Sequence, residues 1–154
     1  MNAKAQETLS LPPLDQIGFV VKDLDAAIRL YEPLFGPFSI MEPGSMSWSY
    51  RGKEEESELK LAFGKSGNVE IELIEWLSGE CPHKEFIDEG LEGMHHLRYI
   101  VEDLESSVGE AEALGYISIW QKRLAKGLAA AYLQRDGDPL IIEFYENHRM
   151  SQKR

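Results

Sequence analysis

The chain has 154 residues, a length that fits one domain able to bury its core without disulfide bonds. Its formal charge of −11 argues against binding to nucleic acid, whose phosphates need clustered Lys and Arg, and favours a small-molecule partner. No apolar run approaches the roughly twenty residues that span a bilayer, and the single cysteine, Cys81, excludes an intrachain disulfide and a thiolate metal cluster.

The two ends and one internal stretch depart from the average composition. Residues 1–13 are polar and lack the apolar segment of a secretion signal, so we expect a disordered tail and a cytoplasmic protein. Residues 148–154 are expected to form a second tail. Residues 121–135 carry four basic side chains and no acidic one, which predicts either a site for an anionic ligand or a solvated loop. The four are Lys122, Arg123, Lys126 and Arg135.

A strand and a helix are predicted near the start of the chain. The strand has apolar residues at alternate positions, namely Ile17, Phe19 and Val21. Asp23 can cap a helix whose apolar positions recur at helical spacing, at Leu24, Ile28 and Tyr31. Gly36 suits the end of this helix. Pro33 lacks an N–H, which predicts that the helix ends one or two residues earlier.

The same pattern recurs 80 residues further on. Residues 16–25 (QIGFVVKDLD) align with residues 96–105 (HLRYIVEDLE), so that Asp103 repeats the helix cap and Gly115 the helix stop. Each copy continues with predicted strands, at 45–51, 58–63 and 69–75 in the first and at 117–121, 128–134 and 140–145 in the second. The last strands share the pattern I-E-x-x-E at an offset of 71 residues. The first copy therefore has a longer loop, which we assign to residues 53–57.

These elements predict an α+β fold with one domain at residues 14–147. Module one spans residues 14–76 and module two spans residues 94–147, each with the order βαβββ. The linker at 77–93 is rich in Gly, Pro and acidic residues and has a short predicted helix at 84–88. We expect the two modules to form one curved mixed sheet.

Strand geometry predicts which polar side chains share the concave face. If the alternate residues that begin at Ile17 pack on the helix, the intervening residues point to the opposite face. This parity selects equivalent positions in the two copies, namely Gln16, Glu72, His96 and Glu143. An imidazole nitrogen, an amide oxygen and two carboxylates suit a hard or borderline divalent ion, and we predict a metal site there. His95 has the opposite parity and is expected to support the site rather than to bind the metal.

Several segments resemble a known superfamily. The runs DQIGFVVKDLDAAI, VEIELIE, GMHHL and LIIEF are similar to those of the glyoxalase/bleomycin-resistance/extradiol-dioxygenase (vicinal oxygen chelate) superfamily, over about residues 14–147. The segment FIDEGLEGMHHL most resembles methylmalonyl-CoA epimerases. The metal positions of the superfamily fall on Gln16, Glu72, His96 and Glu143. The epimerases usually have His where this chain has Gln16, and the order Gln/Glu/His/Glu is similar to zinc-type glyoxalase I.

The resemblance implies an enzyme with a divalent ion, which could be Zn, Co, Ni or Mn. The most favoured function is an epimerase that forms an enolate on a small acyl-CoA-type thioester. Because the two modules are related by an approximate twofold axis, Glu72 and Glu143 can serve opposite faces of that enolate, with Glu143 as the first choice of base. We also expect a homodimer.

Three alternatives remain open at this stage. A lactoylglutathione lyase-like enzyme shares the order of the ligands. A metal-free binding protein of the bleomycin-resistance type would not need two inward carboxylates. An extradiol oxygenase needs two His and one carboxylate for iron, and Gln16 counts against it.

Arg98 departs from the superfamily pattern, in which small residues are usual at this position. The parity of its strand points its side chain into the predicted cavity, where an unpaired guanidinium would be costly. It is predicted either to bind a carboxylate of an anionic substrate or to pair with Glu70 or Glu72.

Overall fold

The computed structural model describes residues 9–151. Module one contains β1 (Gln16–Val20), α1 (Leu24–Phe35), β2 (Ser39–Met41), β3 (Ser45–Tyr50), β4 (Lys53–Ser66) and β5 (Val69–Gly79). The helix α2 (Pro82–Asp88) lies between the modules. Module two contains β6 (Gly93–Val101), α3 (Leu104–Glu112), β7 (Tyr116–Ala125), β8 (Leu128–Arg135) and β9 (Ile141–Asn147), followed by α4 (His148–Ser151).

Eight strands of the described chain close into a barrel. Their order is β1-β5-β4-β3-β7-β8-β9-β6, and β6 pairs again with β1. The remaining strand, β2, pairs with the far end of β4. The junction between β3 and β7 is short, because within the described residues its register contains two pairs, Ser49 with Gln121 and Tyr50 with Trp120. The expected α+β fold with one curved mixed sheet is confirmed.

The antiparallel pair β1 and β6 relates the two modules. Ile17 pairs with Leu97, and on either side of this pair Gln16 meets Arg98 and Gly18 meets His96. Each strand also has a parallel neighbour from its own module, β5 beside β1 and β9 beside β6. These three pairs are symmetric about the Ile17–Leu97 pair, which agrees with the 80-residue repeat, and the register shifts beyond Gly18.

Within residues 9–151, three hydrophobic cores hold the sheet and its helices together. One core lies between the sheet and α1, where Val21, Leu24 and Leu73 are buried. A second lies under α3 and contains Val108, Leu133 and Phe144. The third is built from inward residues of both modules, among them Val20, Trp48, Ile74, Trp120 and Tyr132. Since Ile17 and Phe19 pack against the α1 core, the predicted parity of β1 is confirmed.

Two local predictions were wrong. Pro33 does not shorten the first helix, because α1 continues to Phe35, whose side chain packs on the α1 core, and Gly36 caps the helix through its N–H to the oxygen of Glu32. The acidic residues 54–56 form no loop. They pair in β4 with β3 across a tight turn at Arg51 and Gly52, both of which have positive φ. Backbone pairing therefore outweighs the repulsion within the exposed acidic run.

The parts outside the two modules are described only in part. Residues 1–8 and 152–154, which belong to the predicted tails, lie outside the described residues. Leu9 packs against the core under α3. No helix within residues 9–151 is long and apolar enough to cross a membrane.

Equivalent carboxylates cap α1 and α3. Asp23 accepts from the N–H of Ala26 at 3.0 Å, and Asp103 accepts from the N–H of Ser106 at 2.9 Å. Asp23→Ala and Asp103→Ala should each lower the free energy of unfolding by about 1 kcal/mol, because each exposes an unsatisfied N–H of a first helical turn. The losses should add in the double variant, since the caps lie in separate modules. Urea unfolding measures them, with Asp→Asn at each position as a control that keeps the cap; an equal loss in the Asn variants would contradict the capping role.

Candidate functional site

The structure brings the four predicted metal ligands together on the inner face of the barrel. Nε2 of His96 lies 3.1 Å from Oε1 of Gln16, 3.3 Å from Oε1 of Glu143 and 3.5 Å from Oε1 of Glu72. His96 is fully buried, and the two glutamate side chains are only 10–13% exposed. Three oxygen atoms from three strands therefore surround one imidazole nitrogen contributed by a fourth.

Gly18 makes room for the ring of His96. The two residues face each other across β1 and β6, and the imidazole lies against the backbone of the glycine. A Cβ atom at position 18 would be 2.0 Å from Cε1 and 2.3 Å from Nε2 of His96, far closer than non-bonded atoms approach. A glycine is therefore required here by close approach, because any side chain would displace the ring.

A network of ionic hydrogen bonds orients Gln16. Its Nε2 donates to Glu70 at 2.7 Å, which turns its Oε1 toward His96. Arg98 contacts the same Glu70 oxygen at 3.4 Å and donates to Asp15 through Nε at 2.7 Å and through Nη2 at 2.6 Å. Arg98 also lies over the ring of Tyr145 at 4.6 Å. Of the two predicted roles of Arg98, an ion pair with Glu70 is present, and the role in substrate binding stays a prediction.

A second network holds the other nitrogen of His96. Its Nδ1 lies 3.0 Å from Nδ1 of His95, so one of these nitrogens must donate and the other accept. His95 packs against the ring of His83 at 5.2 Å, and Nε2 of His83 lies 3.1 Å from the hydroxyl of Tyr132. The expected supporting position of His95 agrees with this contact.

Burial sets the protonation of the groups around the site. It raises the pKa of Glu143 to about 7; His96 and Arg98 oppose this rise, while Glu72 and Asp15 add to it. Burial also lowers the pKa of His83 to about 3 and, with the neighbouring imidazoles, lowers that of His95 well below its usual range. His83 and His95 are therefore neutral near pH 7, where Glu143 can exchange its proton.

Three of the four side chains, Gln16, Glu72 and Glu143, line a cavity of about 210 Å³. Apolar and aromatic residues also line it, among them Leu59, Ile74, Trp48, Trp120 and Tyr132. A larger groove of about 500 Å³ lies outside the barrel between α3 and the strands β3 and β7. This groove contains none of the four residues, so we assign the chemistry to the smaller cavity.

The donor set fits a divalent cation. It offers one imidazole nitrogen, one amide oxygen and two carboxylates, and the separations from His96 match the roughly 3.0–3.5 Å between ligands whose bonds to a metal are about 2.1 Å. A metal bond to Nε2 also requires the proton of His96 on Nδ1, where His95 can accept it. Within residues 9–151, however, no group of three or more His, Cys, Asp and Glu side chains is arranged so that it could hold a metal ion as it stands. The chemistry of the donors therefore fits, while the arrangement is not itself a finished coordination shell.

Several residues of the site escaped the sequence analysis. His83 lies in the predicted linker and has no counterpart in the repeat, yet α2 buries it beside His95. Asp15 directly precedes β1, outside the strand positions that the parity selects. Tyr132 faces the cavity from β8, and the alternation of that strand could have indicated this position.

The chain matches the family model described as the Glyoxalase/Bleomycin resistance protein/Dioxygenase superfamily over residues 15–132. This match covers more than half of the sequence, and the chain therefore belongs to that superfamily. The predicted membership is thus confirmed.

The chain is similar to individual proteins in sequence or in structure. YqjC of Bacillus subtilis (strain 168), described as an uncharacterized protein, is 24% identical over 136 residues, which are 86% of this chain and 91% of YqjC. The hypothetical protein BH1468 from Bacillus halodurans C-125 is 26% identical with a TM-score of 0.61, over 88% of this chain and 94% of that one. Methylmalonyl-CoA epimerase from Mycobacterium tuberculosis is 19% identical with a TM-score of 0.63, over 98% of both chains.

Replacing Gly18 tests the close packing of His96. Gly18→Ala should lower the free energy of unfolding by about 1–3 kcal/mol, because the new methyl group overlaps the buried ring. It should also change the NMR chemical shift of the Cε1 proton of His96. Gly109→Ala in α3 is the matched control: nothing lies within 4 Å of its Cβ, so stability should be unchanged or rise by up to about 1 kcal/mol. Equal behaviour of the two variants would contradict the packing requirement.

Proposed function

We propose that this protein is an isomerase that moves a proton at a carbon next to a carbonyl, and that it epimerises a small acyl thioester. The observation that carries the proposal is the pair Glu72 and Glu143. These carboxylates come from equivalent strands of the two modules and approach one nitrogen of His96 at 3.5 and 3.3 Å. Two carboxylates that face one cavity from related strands can act on opposite faces of a planar intermediate.

Glu143 is the better candidate for the first base. Its pKa of about 7 lies near a neutral working pH, where a general base is most effective because it both accepts and returns a proton. It is buried beside an apolar cavity, so water does not compete for the proton. Glu143 would break the C–H bond next to the carbonyl and take its proton, and the electron pair would move to the carbonyl oxygen.

Glu72 would complete the epimerisation from the other side. Its repeat-equivalent position on β5 presents a second carboxylate to the same cavity. To invert the carbon centre, Glu72 would have to deliver a proton to the face of the enolate opposite Glu143.

Gln16, Glu72, His96 and Glu143 are the residues that would hold a divalent ion. Such an ion, when bound, polarises a carbonyl and stabilises negative charge on its oxygen. Glu70 would keep the amide oxygen of Gln16 directed to the site, and His95 would fix the orientation and tautomer of His96.

The size of the cavity and the fold relatives support a small acyl substrate. A volume of about 210 Å³ with largely apolar walls admits a short acyl chain and not a large ring system. The methylmalonyl-CoA epimerase of Mycobacterium tuberculosis has the same fold, and its name supplies the substrate class that we propose to test first.

Metal content is the first test of this proposal. Elemental analysis of the purified chain should find about one divalent ion per chain, or the addition of Zn, Co, Ni or Mn should raise the melting temperature. His96→Ala should abolish both effects, whereas His95→Ala should weaken binding about tenfold or more through the lost hydrogen bond. His148→Ala is the control, because His148 lies on α4, away from the cavity. A wild-type chain that neither contains nor binds these ions would contradict the metal site.

Deuterium exchange tests the proton transfer. In D₂O, the wild type should introduce deuterium at the carbon next to the thioester of methylmalonyl-CoA while it interconverts the stereoisomers. Glu143→Gln and Glu72→Gln should each slow inversion by about a hundredfold or more, since each removes a positioned acid or base. Gln is the matched replacement because its oxygen can still bind a metal. Full inversion rates in both variants, with metal retained, would exclude the two-base mechanism.

A glyoxalase I-like activity is the second candidate, and Gln16 favours it. The chain presents an amide oxygen at this position, 3.1 Å from His96, and the Gln/Glu/His/Glu order resembles zinc-type glyoxalase I. The hemithioacetal of methylglyoxal and glutathione should then be converted to lactoylglutathione. If the chain converts this substrate but does not introduce deuterium into acyl-CoA thioesters, its function is that of a lyase and not of an epimerase.

A further inference from the structure

Two cations line the cavity of the candidate site, and they differ in their partners. Arg98 is engaged with Asp15 at 2.6 Å and with Glu70 at 3.4 Å. Lys122, on β7, forms no ion pair with any residue between 9 and 151; its ammonium lies over the ring of Trp48 at 5.5 Å. Burial lowers the pKa of Lys122.

Lys122 lies in the barrel wall, next to the short ladder between β3 and β7. The ladder between β3 and β7 has its two pairs at Ser49 with Gln121 and at Tyr50 with Trp120, and Lys122 follows directly. Lys122 and Trp48 line both the inner cavity and the outer groove. A ligand that extends from the cavity to the groove must therefore pass beside Lys122.

The same wall carries hydrogen-bond donors without protein partners. Nε1 of Trp48 and Nε1 of Trp120 are buried and have no hydrogen-bond partner within the described chain, and both side chains line the inner cavity. Unpaired buried N–H groups are rare in folded proteins and mark positions where a ligand or water can complete the bonding. The rings connect this wall to the reacting side in two steps, of 4.5 Å from Trp120 to Tyr132 and of 5.0 Å from Tyr132 to His96.

We propose that Lys122, beside Trp48 and Trp120, binds an anionic oxygen group of the substrate, at a subsite in the same cavity as the carboxylates Glu72 and Glu143. The substrate would then be held at two points, its reacting carbonyl near His96 and its anionic group beside the short ladder between β3 and β7. This inference rests on the proposed function and deepens it, because it names Lys122 as the residue that selects substrates with a second, anionic group. A carboxylate and a phosphate ester share the required chemistry.

Binding of inert probes to the purified chain tests the subsite without turnover. Isothermal titration with glutarate and with glycerol 3-phosphate distinguishes a carboxylate from a phosphate, and neutral glutaramide controls for shape. At least one anion should bind and glutaramide should not. Lys122→Met should lower the affinity for the anion by about tenfold or more, the loss expected for one charge-assisted hydrogen bond. Lys122→Arg keeps the charge and should retain most of the affinity.

Two further variants provide a control for the charge and an independent test of the indole N–H. Lys126→Met removes the same charge from the exposed turn between β7 and β8 and should leave the affinity unchanged. Trp120→Phe keeps an aromatic ring and removes the N–H, so it should weaken the anion several-fold even if Lys122→Met fails to fold. The proposal is overturned if neither anion binds the wild type at about 10 mM, or if Lys122→Met and Trp120→Phe both bind as tightly as the wild type.

The outcome separates this subsite from the proposed activity. If anion binding depends on Lys122 and no thioester exchanges deuterium, the subsite proposal stands and the epimerase proposal is wrong. If the wild type catalyses exchange and inversion but Lys122→Met binds the anion as tightly as the wild type, the epimerase proposal stands and the subsite proposal is wrong.

Discussion

The contact between the imidazole of His96 and the backbone of Gly18 is the constraint on which the rest of the site depends. Only a residue without a Cβ lets the ring lie against the backbone of β1, where Nε2 meets oxygens from β1, β5 and β9. The barrel interior is densely packed, so a shift of a few tenths of an ångström in this ring would propagate to all three contacts. The geometry of the site is therefore set by the absence of a side chain as much as by the presence of the donors.

Charge balance is the second condition. Four acidic residues lie on or beside the central strands, namely Asp15, Glu70, Glu72 and Glu143, and Arg98 forms ion pairs with Asp15 and Glu70. Burial raises the pKa of Glu143, and the charge of Arg98 opposes this rise. A structural ion pair at one end of the cavity thus influences the acidity of a group at its centre.

The sequence predicted the repeat, the parity of the strands and the convergence of Gln16, Glu72, His96 and Glu143, because each follows from local periodicity and from an internal copy against which to check it. Predictions from the sequence were wrong where tertiary contacts determine the local structure. Pro33 stays helical because Phe35 is anchored in the core, and Glu54–Glu56 form a strand because the turn at Arg51 and Gly52 pairs them with β3. His83 has no counterpart in the repeat, so no internal comparison could place it, and only the docking of α2 brings it to His95.

The symmetric register of β1 and β6 has a consequence for how such a site can arise. Gln16 and His96 occupy equivalent positions in the two modules, and so do Gly18 and Arg98. Two identical modules would have the same residue at positions 18 and 98, either glycine in both or arginine in both. With glycine at both, the cation that neutralises Asp15 would be missing; with arginine at both, the space for the imidazole would be lost. A single polypeptide whose halves have diverged can therefore form the site, whereas an assembly of identical half-length chains cannot.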